Sequence, residues 1–201
     1  ELIVPLVFLI IIGTVVIQSL TARPWARFLG VNAGKTQGLL IFGAAVFPRE
    51  LAKILKSKNV TVTLADNNWD NIRLARMDNI PVYFGNPTSE HAANYLDMKG
   101  IGRLLVISPY RQLNPLVSFH YQDLLGSKSV YGLMHNEDAS ARHQLSESYQ
   151  QSLCLFGELT YAKLASLMAQ GALIKITNIT DNFSFKHFRD RYGDSAVPLI
   201  Y

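Results

Sequence analysis

The chain has 201 residues and a formal net charge of +4, with 49% hydrophobic, 17% charged and 10% aromatic positions. That length holds one ordinary domain plus extensions, not two full-sized domains, and the apolar share excludes a disordered chain. A single cysteine, Cys154 in the apolar stretch Ser152–Phe156, excludes a disulfide scaffold and a cysteine zinc site, and reads as a buried inert thiol. The chain opens at Glu1 rather than a methionine, which suggests a piece of a longer polypeptide.

Leu2 to Ile17 carries no charge and almost no polar side chain, with Gly13 and Thr14 as the soft spots. A bilayer-crossing helix needs about 20 apolar residues, and Pro5 is tolerated near a helix start. No basic segment precedes the run and no small-residue cleavage site follows it, so it does not read as a signal peptide. The expectation is that residues 1–22 are the last helix of a transmembrane domain, with a buried core helix or strand as the rival. Between Thr21 and Val60 stand seven basic residues (Arg23, Arg27, Lys35, Arg49, Lys53, Lys56, Lys58) against Glu50 alone, so this stretch carries +6. Basic residues after a spanning helix mark its cytoplasmic end and are stabilised by anionic headgroups. Without interleaved stacking aromatics, the basic stretch does not call for nucleic acid. Residues 23–38 read as a basic juxtamembrane linker ending in the glycine-bounded run Gly30–Gly38. Gly34-Lys35-Thr36 is not a phosphate-binding loop, because Leu29 stands where its upstream glycine belongs and no strand precedes it.

From Leu39 on, short apolar runs alternate with helix-period segments. Strands are expected at Leu39–Phe42, Val60–Ala65, Val82–Phe84, Leu104–Ile107, Val130–Leu133 and Leu153–Phe156. Helical spacing marks Leu51/Ile54/Leu55, Ile72/Leu74/Ala75, Ala92/Ala93/Leu96, Leu116/Phe119/Leu124, the polar stretch Ala139–Gln151, and Leu159–Gln170 with Leu164, Leu167 and Met168 on one face. This alternation predicts a doubly wound, mainly parallel six-stranded α/β sheet of the Rossmann type over residues 39–171. Residues 172–201 read as the start of a truncated C-terminal module: an extended Ala172–Thr180, an amphipathic Phe183–Tyr192 and a new strand at Val197–Tyr201.

The strongest local constellation opens this region: Leu39-Leu-Ile-Phe-Gly43-Ala-Ala-Val-Phe-Pro48, a helix, then Val60 to Asp66. A dinucleotide site uses three glycines, for the tight turn, for pyrophosphate approach and for helix–strand packing, and an acid about 20 residues on for the ribose. Gly43 fills the first place and Asp66 the acid's, while Ala45 and Pro48 take the other two glycine places around Val46 and Phe47. The methyl of Ala45 pushes backbone from a pyrophosphate and Pro48 removes an amide donor, so a monophosphate is favoured over a dinucleotide. The alternative is a βα turn that binds nothing, with Asp66 capping the next helix through Asn67–Trp69. Asn86 and Ser108, after the third and fourth strands, complete the crevice as contacts for base or ribose, or as helix caps.

Catalytic signals fail on position. Tyr95 and Lys99 have a reductase-like spacing but fall too early in the fold, and His91, His120, His135, His143 and His187 lack same-face metal spacing. The glycosylation patterns at Asn59, Asn178 and Asn182 do not matter on the expected cytoplasmic side. No nucleophile–base or acid–base pair stands out, so the expectation is a binding module and not an enzyme.

The order of parts resembles the C-terminal end of NhaP-type antiporters, members of the monovalent cation:proton antiporter-1 family with a cytoplasmic TrkA-N (RCK-like) domain. Thr14-Val-Val-Ile-Gln18 running into Thr21-Ala-Arg-Pro24 and Leu29-Gly30 is similar to the end of that family's last transmembrane helix. Phe183–Phe188, Tyr192-Gly193 and Val197-Pro-Leu199 are similar to the continuation in these antiporters. The resemblance implies a sodium- or potassium-for-proton exchanger in the cell inner membrane. Its partners would be lipid, the upstream transmembrane domain of the same polypeptide, and a second copy in a homodimer. The domain would sense a nucleotide (AMP, ADP, ATP or NAD(H)) or an ion, or bind nothing and only dimerise. In related domains the first glycine, the acid ending the second strand and a Gly-Asp ending the third contact the ligand. Gly43 and Asp66 match, and Asn86 replaces the last aspartate. A potassium-channel gating domain and a membrane-tethered nucleotide-dependent enzyme are the alternatives.

Overall fold

The computed structural model describes residues 3–28, 37–133, 153–154, 159–177 and 185–193. The chain divides into two compact units, Glu1–Thr36 and Gln37–Tyr201. The first holds helix α1 (Ile3–Phe28), whose segment Ile3–Ala22 is long and apolar enough to cross a membrane and contains no buried residue. The helix runs on past the expected end at residue 22, through Pro24, to Phe28, so the first part of the basic linker is helical. Its hydroxyls stay inside the helix: Thr14 donates to the Ile11 carbonyl, Ser19 to Val15 and Thr21 to Ile17, at 2.7–2.8 Å. Such back-bonding satisfies a hydroxyl where no water is available.

In the second unit the described elements are β1 (Gly38–Phe42), α2 (Val46–Ser57), β2 (Val62–Asp66), α3 (Trp69–Met77), β3 (Val82–Phe84), α4 (Glu90–Tyr95), β4 (Ile101–Val106), α5 (Leu113–Leu125), β5 (Val130–Gly132), β6 (Leu153–Cys154), α6 (Tyr161–Ala169) and α7 (Phe185–Tyr192). A 3-10 turn at Ser127–Ser129 leads into β5. Among the described residues the sheet order is β3-β2-β1-β4-β5-β6, and every pairing is parallel. Five of these strands have three residues or more and β6 has two. The fold is Rossmann-like: the strand order runs outward from β1 to β3, then reverses to β4 beside β1.

Burial explains why the strands read as apolar runs and not as alternations, since helices cover both faces of the sheet. Ile41, Leu64, Leu105 and Ile107 join α2, α3 and α6 on one face through Leu51, Ile72 and Leu164. Leu40, Phe42, Leu104 and Val106 join α4 and α5 on the other through Ala92, Val117 and Tyr121.

Several boundaries differ from expectation. β2 starts at Val62 instead of Val60. β4 starts three residues early, at Ile101, because backbone pairing of Gly38 with Ile101 and Leu39 with Arg103 recruits a segment whose side chains do not announce it. In α5 the spacing of Leu116, Phe119 and Leu124 marks a helix correctly, yet that stripe is 60–63% exposed, and Pro115, Val117, Ser118 and Tyr121 face the core. Residues 172–177 form no strand. The helix expected over Ala139–Gln151, the remainder of the Leu153–Phe156 strand and the strand at Val197–Tyr201 lie outside the described residues. Part of the basic stretch is neutralised within the domain. Asp78 takes Lys53 at 3.0 Å and Arg49 at 3.7 Å, and Glu50 takes Lys53 at 2.9 Å, which ties α2 to the end of α3.

Candidate functional site

The reversal of strand order opens a crevice at the carboxyl ends of β1 and β4, where open α/β sheets place ligands. Gly43 leaves β1 with φ +115°, and its amide donates to the Ala65 carbonyl at 2.7 Å. A Cβ on Gly43 would stand 2.0 Å from the Ile107 carbonyl oxygen. The glycine is therefore demanded twice, by its backbone angle and by the end of β4 crossing beside it. Ala45 follows in extended backbone as the N-cap of α2 and makes no side-chain cap. Val46 is half exposed at the helix start, and Pro48, packed in the core, has no amide proton to donate.

Asp66 ends β2 and is fully buried. Its carboxylate is surrounded by four donors. Oδ2 accepts from the Ala44 amide at 2.7 Å and from Asn71 Nδ2 at 3.0 Å. Oδ1 accepts from the Asn68 amide at 2.9 Å and from the Tyr110 hydroxyl at 2.9 Å. Two ionised oxygens offer about four lone-pair sites, so this set fills them. A buried carboxylate is tolerated because its charge is spread over those donors. Burial, then the hydrogen bond to Asp66, pushes the Tyr110 hydroxyl up to about 12. Burial, then the charge of Asp66, raises Tyr161 as well.

The other expected residues sit at the crevice in different roles. Asn67 is exposed beside Asp66. The cap of α3 is not Asp66 but Asn68, whose side chain accepts from the Asp70 amide at 2.9 Å and the Asn71 amide at 3.4 Å. Asn86 does not cap α4: its Oδ1 accepts from the Thr88 amide and hydroxyl at 3.0 and 2.9 Å, and Ser89 makes the cap. Ser108 does not cap α5 either. Its hydroxyl donates to Asn114 Oδ1 and accepts from the Tyr110 amide at 3.2 Å, while Asn114 Nδ2 donates to the Ser108 carbonyl at 3.0 Å. Both residues shape their own loops, because a short polar side chain after a strand bonds the nearest amides first.

Gly43, Asp66 and Ser108 are thus brought together through Ala44, Ile107 and Tyr110, with Asn86 one strand farther out. Sequence reasoning passed over Tyr110, Asn71 and Tyr161. The signal for Asn71 was its place one helical turn beyond Asp66. For Tyr110 it was an aromatic hydroxyl in the connection that follows the fourth strand.

Between the first turn of α2, the end of β4 and α6 lies a cleft of about 250 Å³, lined by Ala45, Phe47, Pro48, Ile107, Tyr161 and Leu164 with further α6 residues. It is small for a drug-sized ligand and mostly apolar in its lining. A full pyrophosphate fits poorly: the second glycine place carries a methyl and one amide is missing. Among the described residues no group of three or more His, Cys, Asp or Glu is placed to hold a metal ion.

No family model matches the chain, and no curated protein matches it. Two solved structures are similar in chain path. One is the NAD(P)-binding domain of an exopolyphosphatase-related protein from Archaeoglobus fulgidus, at 13% identity and a TM-score of 0.47, covering 67% of this chain and 96% of that one. The other is the TrkA-N domain of an inner membrane protein from Escherichia coli, at 12% identity and a TM-score of 0.47, covering 67% and 95%.

Proposed function

We propose that this chain is the regulatory end of a monovalent cation:proton antiporter. In this reading α1 is the last membrane-spanning helix, and the Rossmann-like unit is a non-enzymatic sensor on the cytoplasmic face of the cell inner membrane that pairs with a second copy. The observation that carries it is one chain combining a 20-residue apolar helix without a buried residue and a Rossmann-ordered sheet whose glycine turn opens on the β1–β4 crevice. The string Thr14 to Pro24 points to the antiporter, and the basic residues after α1 to the cytoplasmic side. The ligand is an adenine nucleotide. AMP suits a turn with Ala45 and Pro48 in two glycine places better than NAD(H), with ADP and ATP between them. A ligand regulates only by preferring one of two conformations, so binding at the crevice would bias how two copies pair, and the linker Gly30–Gly38 would pass that bias to the last helix.

The test is thermal unfolding of the full chain in detergent micelles with millimolar AMP, ADP, ATP, NAD or NADH. A ligand at 100 times its dissociation constant stabilises by about 2.7 kcal/mol, a rise of roughly 5–10 °C for a chain of this size. Val46→Glu is the control. Val46 is 50% exposed at the helix start, so a carboxylate there suits the helix dipole and repels a phosphate. A rise with one nucleotide, lost in Val46→Glu, supports sensing. A flat response to all five from folded protein sinks it.

A second reading, a domain that only dimerises, is favoured by the exposed stripe of Leu116, Phe119 and Leu124 on α5. Under it, Phe119→Glu would convert dimer to monomer in light scattering while nucleotides have no effect.

A further inference from the structure

Asp66 reaches the crevice with no lone pair to spare, and its four donors are not equivalent. Ala44, Asn68 and Asn71 belong to the framework around the carboxylate: the β1 turn, the residue two places on, and the helix that Asn68 caps. Tyr110 comes from 44 residues away, on the connection between β4 and α5. Its ring lies 6.0 Å from that of Phe42 at the end of β1. The residues around it are tied to one another: Ser108 accepts from the Tyr110 amide and grips Asn114, and the Tyr110 carbonyl accepts from the Leu113 and Asn114 amides at 3.0 and 2.9 Å. The connection is therefore one hydrogen-bonded piece leading into α5.

We infer that Tyr110 is a gate on the nucleotide site: its hydroxyl occupies the place on Asp66 that a ribose hydroxyl needs, and ligand enters only as Tyr110 leaves. This rests on the reading of the crevice as a nucleotide site. The chemistry is an exchange of like for like. A ribose hydroxyl donates to the carboxylate as the phenol does, so the carboxylate keeps its four donors and the protein loses only the tie to the β4–α5 connection. The connection then moves as a piece and carries the start of α5, whose exposed stripe of Leu116 and Phe119 lies within one to three turns of Tyr110. Binding at Asp66 is thereby converted into displacement of the surface offered to a second copy. The three framework donors cannot serve this purpose, because losing any of them breaks the β1 turn or the start of α3.

The test is titration calorimetry of AMP and of 2′,3′-dideoxyadenosine monophosphate into the full chain in detergent, wild type against Tyr110→Phe. Without a competing hydroxyl, Tyr110→Phe is expected to bind AMP roughly 10- to 100-fold more tightly, the range for a hydrogen bond to a carboxylate. The dideoxy nucleotide, with no hydroxyl to place on Asp66, should show no such gain. A general loosening of the fold would shift both ligands alike. Equal AMP affinity in the two proteins, or a similar gain with both nucleotides, overturns the gate and leaves nucleotide binding standing. Binding of AMP by neither protein overturns the site reading and the gate together. Should Tyr110→Phe fail to fold, chemical nitration of the wild-type phenols by tetranitromethane, mapped by peptide mass spectrometry, decides. Tyr110, released from Asp66, should nitrate faster on saturation with AMP, and unchanged or slower nitration there overturns the gate.

Discussion

Asp66 shows how far a residue's role is set by what points at it. All four of its neighbours are donors, so the acid is the only side chain of its shape that satisfies them. Asparagine is nearly isosteric but turns one acceptor into a donor, setting its NH2 against either the Ala44 amide and Asn71 or the Asn68 amide and Tyr110. Each buried donor left facing a donor costs about 1–3 kcal/mol, more where a charge-assisted bond is lost. Asp66→Asn is therefore expected to destabilise by about 3 kcal/mol or more and to lower the melting temperature by roughly 6–12 °C, measured by circular dichroism. An unchanged melting temperature would mean that these donors find other partners. Loss of nucleotide binding in an Asp66 variant is consequently ambiguous, and Val46→Glu reports on the site more cleanly. Gly43 teaches the same lesson from the backbone: the close approach that demands glycine is made by Ile107 of the protein, with no phosphate involved.

At the scale of elements, helix ends and helix faces follow different rules. The start of α3 is local chemistry, an asparagine whose side chain accepts from the amides two and three residues on. Asn68→Ala should cost about 1 kcal/mol in a denaturation curve, and Asn68→Ser much less, since serine is an equally good cap. A neutral Asn68→Ala would show that Asp66, through its bonds to the Asn68 amide and the Asn71 side chain, holds the helix start unaided. The face of α5 is not local. Two stripes three and four residues apart run along it, and the sheet takes Val117 and Tyr121 while Leu116, Phe119 and Leu124 face out. Helical period identifies the element and leaves open which stripe is inside. For α1, about 20 residues at 1.5 Å each give roughly 30 Å, the thickness of a bilayer's hydrocarbon core.

At the scale of the molecule, buried phenols make stability depend on alkaline pH. Burial holds Tyr121 at about 12, and burial with the Asp66 bond holds Tyr110 at about 12, against about 10 in an unfolded chain. Both are raised, so the folded state favours the protonated phenol. Their contribution is complete below about pH 10 and is lost as pH climbs from 10 to 12. Lys53, raised by its hydrogen bonds to Glu50 and Asp78, adds a loss of the same sign above its ordinary value. The denaturation midpoint is expected to hold level from pH 8 to about 9.5 and then fall to pH 12, less steeply in Tyr121→Phe, which removes one titrating group. A midpoint flat through pH 11, or a slope unchanged in Tyr121→Phe, would contradict the assignment.

Much of the architecture was legible in the sequence because parallel strands covered on both faces appear as unbroken apolar runs. The bounds of β3 were read correctly, and the place of Gly43 at the end of β1 and of Asp66 at the end of β2 followed from the spacing of turn and strand. The sequence by itself determined the strand–helix alternation from β1 to β5 and which strand ends meet at the crevice. Only the tertiary structure decided what the residues there do. Asp66 is filled by Ala44 from 22 residues before it and by Tyr110 from 44 after it, and Gly43 is confined by Ile107, just past the end of a strand paired out of sequence order. The occupancy of a lone pair and the space beside a Cα depend on which distant atoms arrive there, and no local period or motif encodes that.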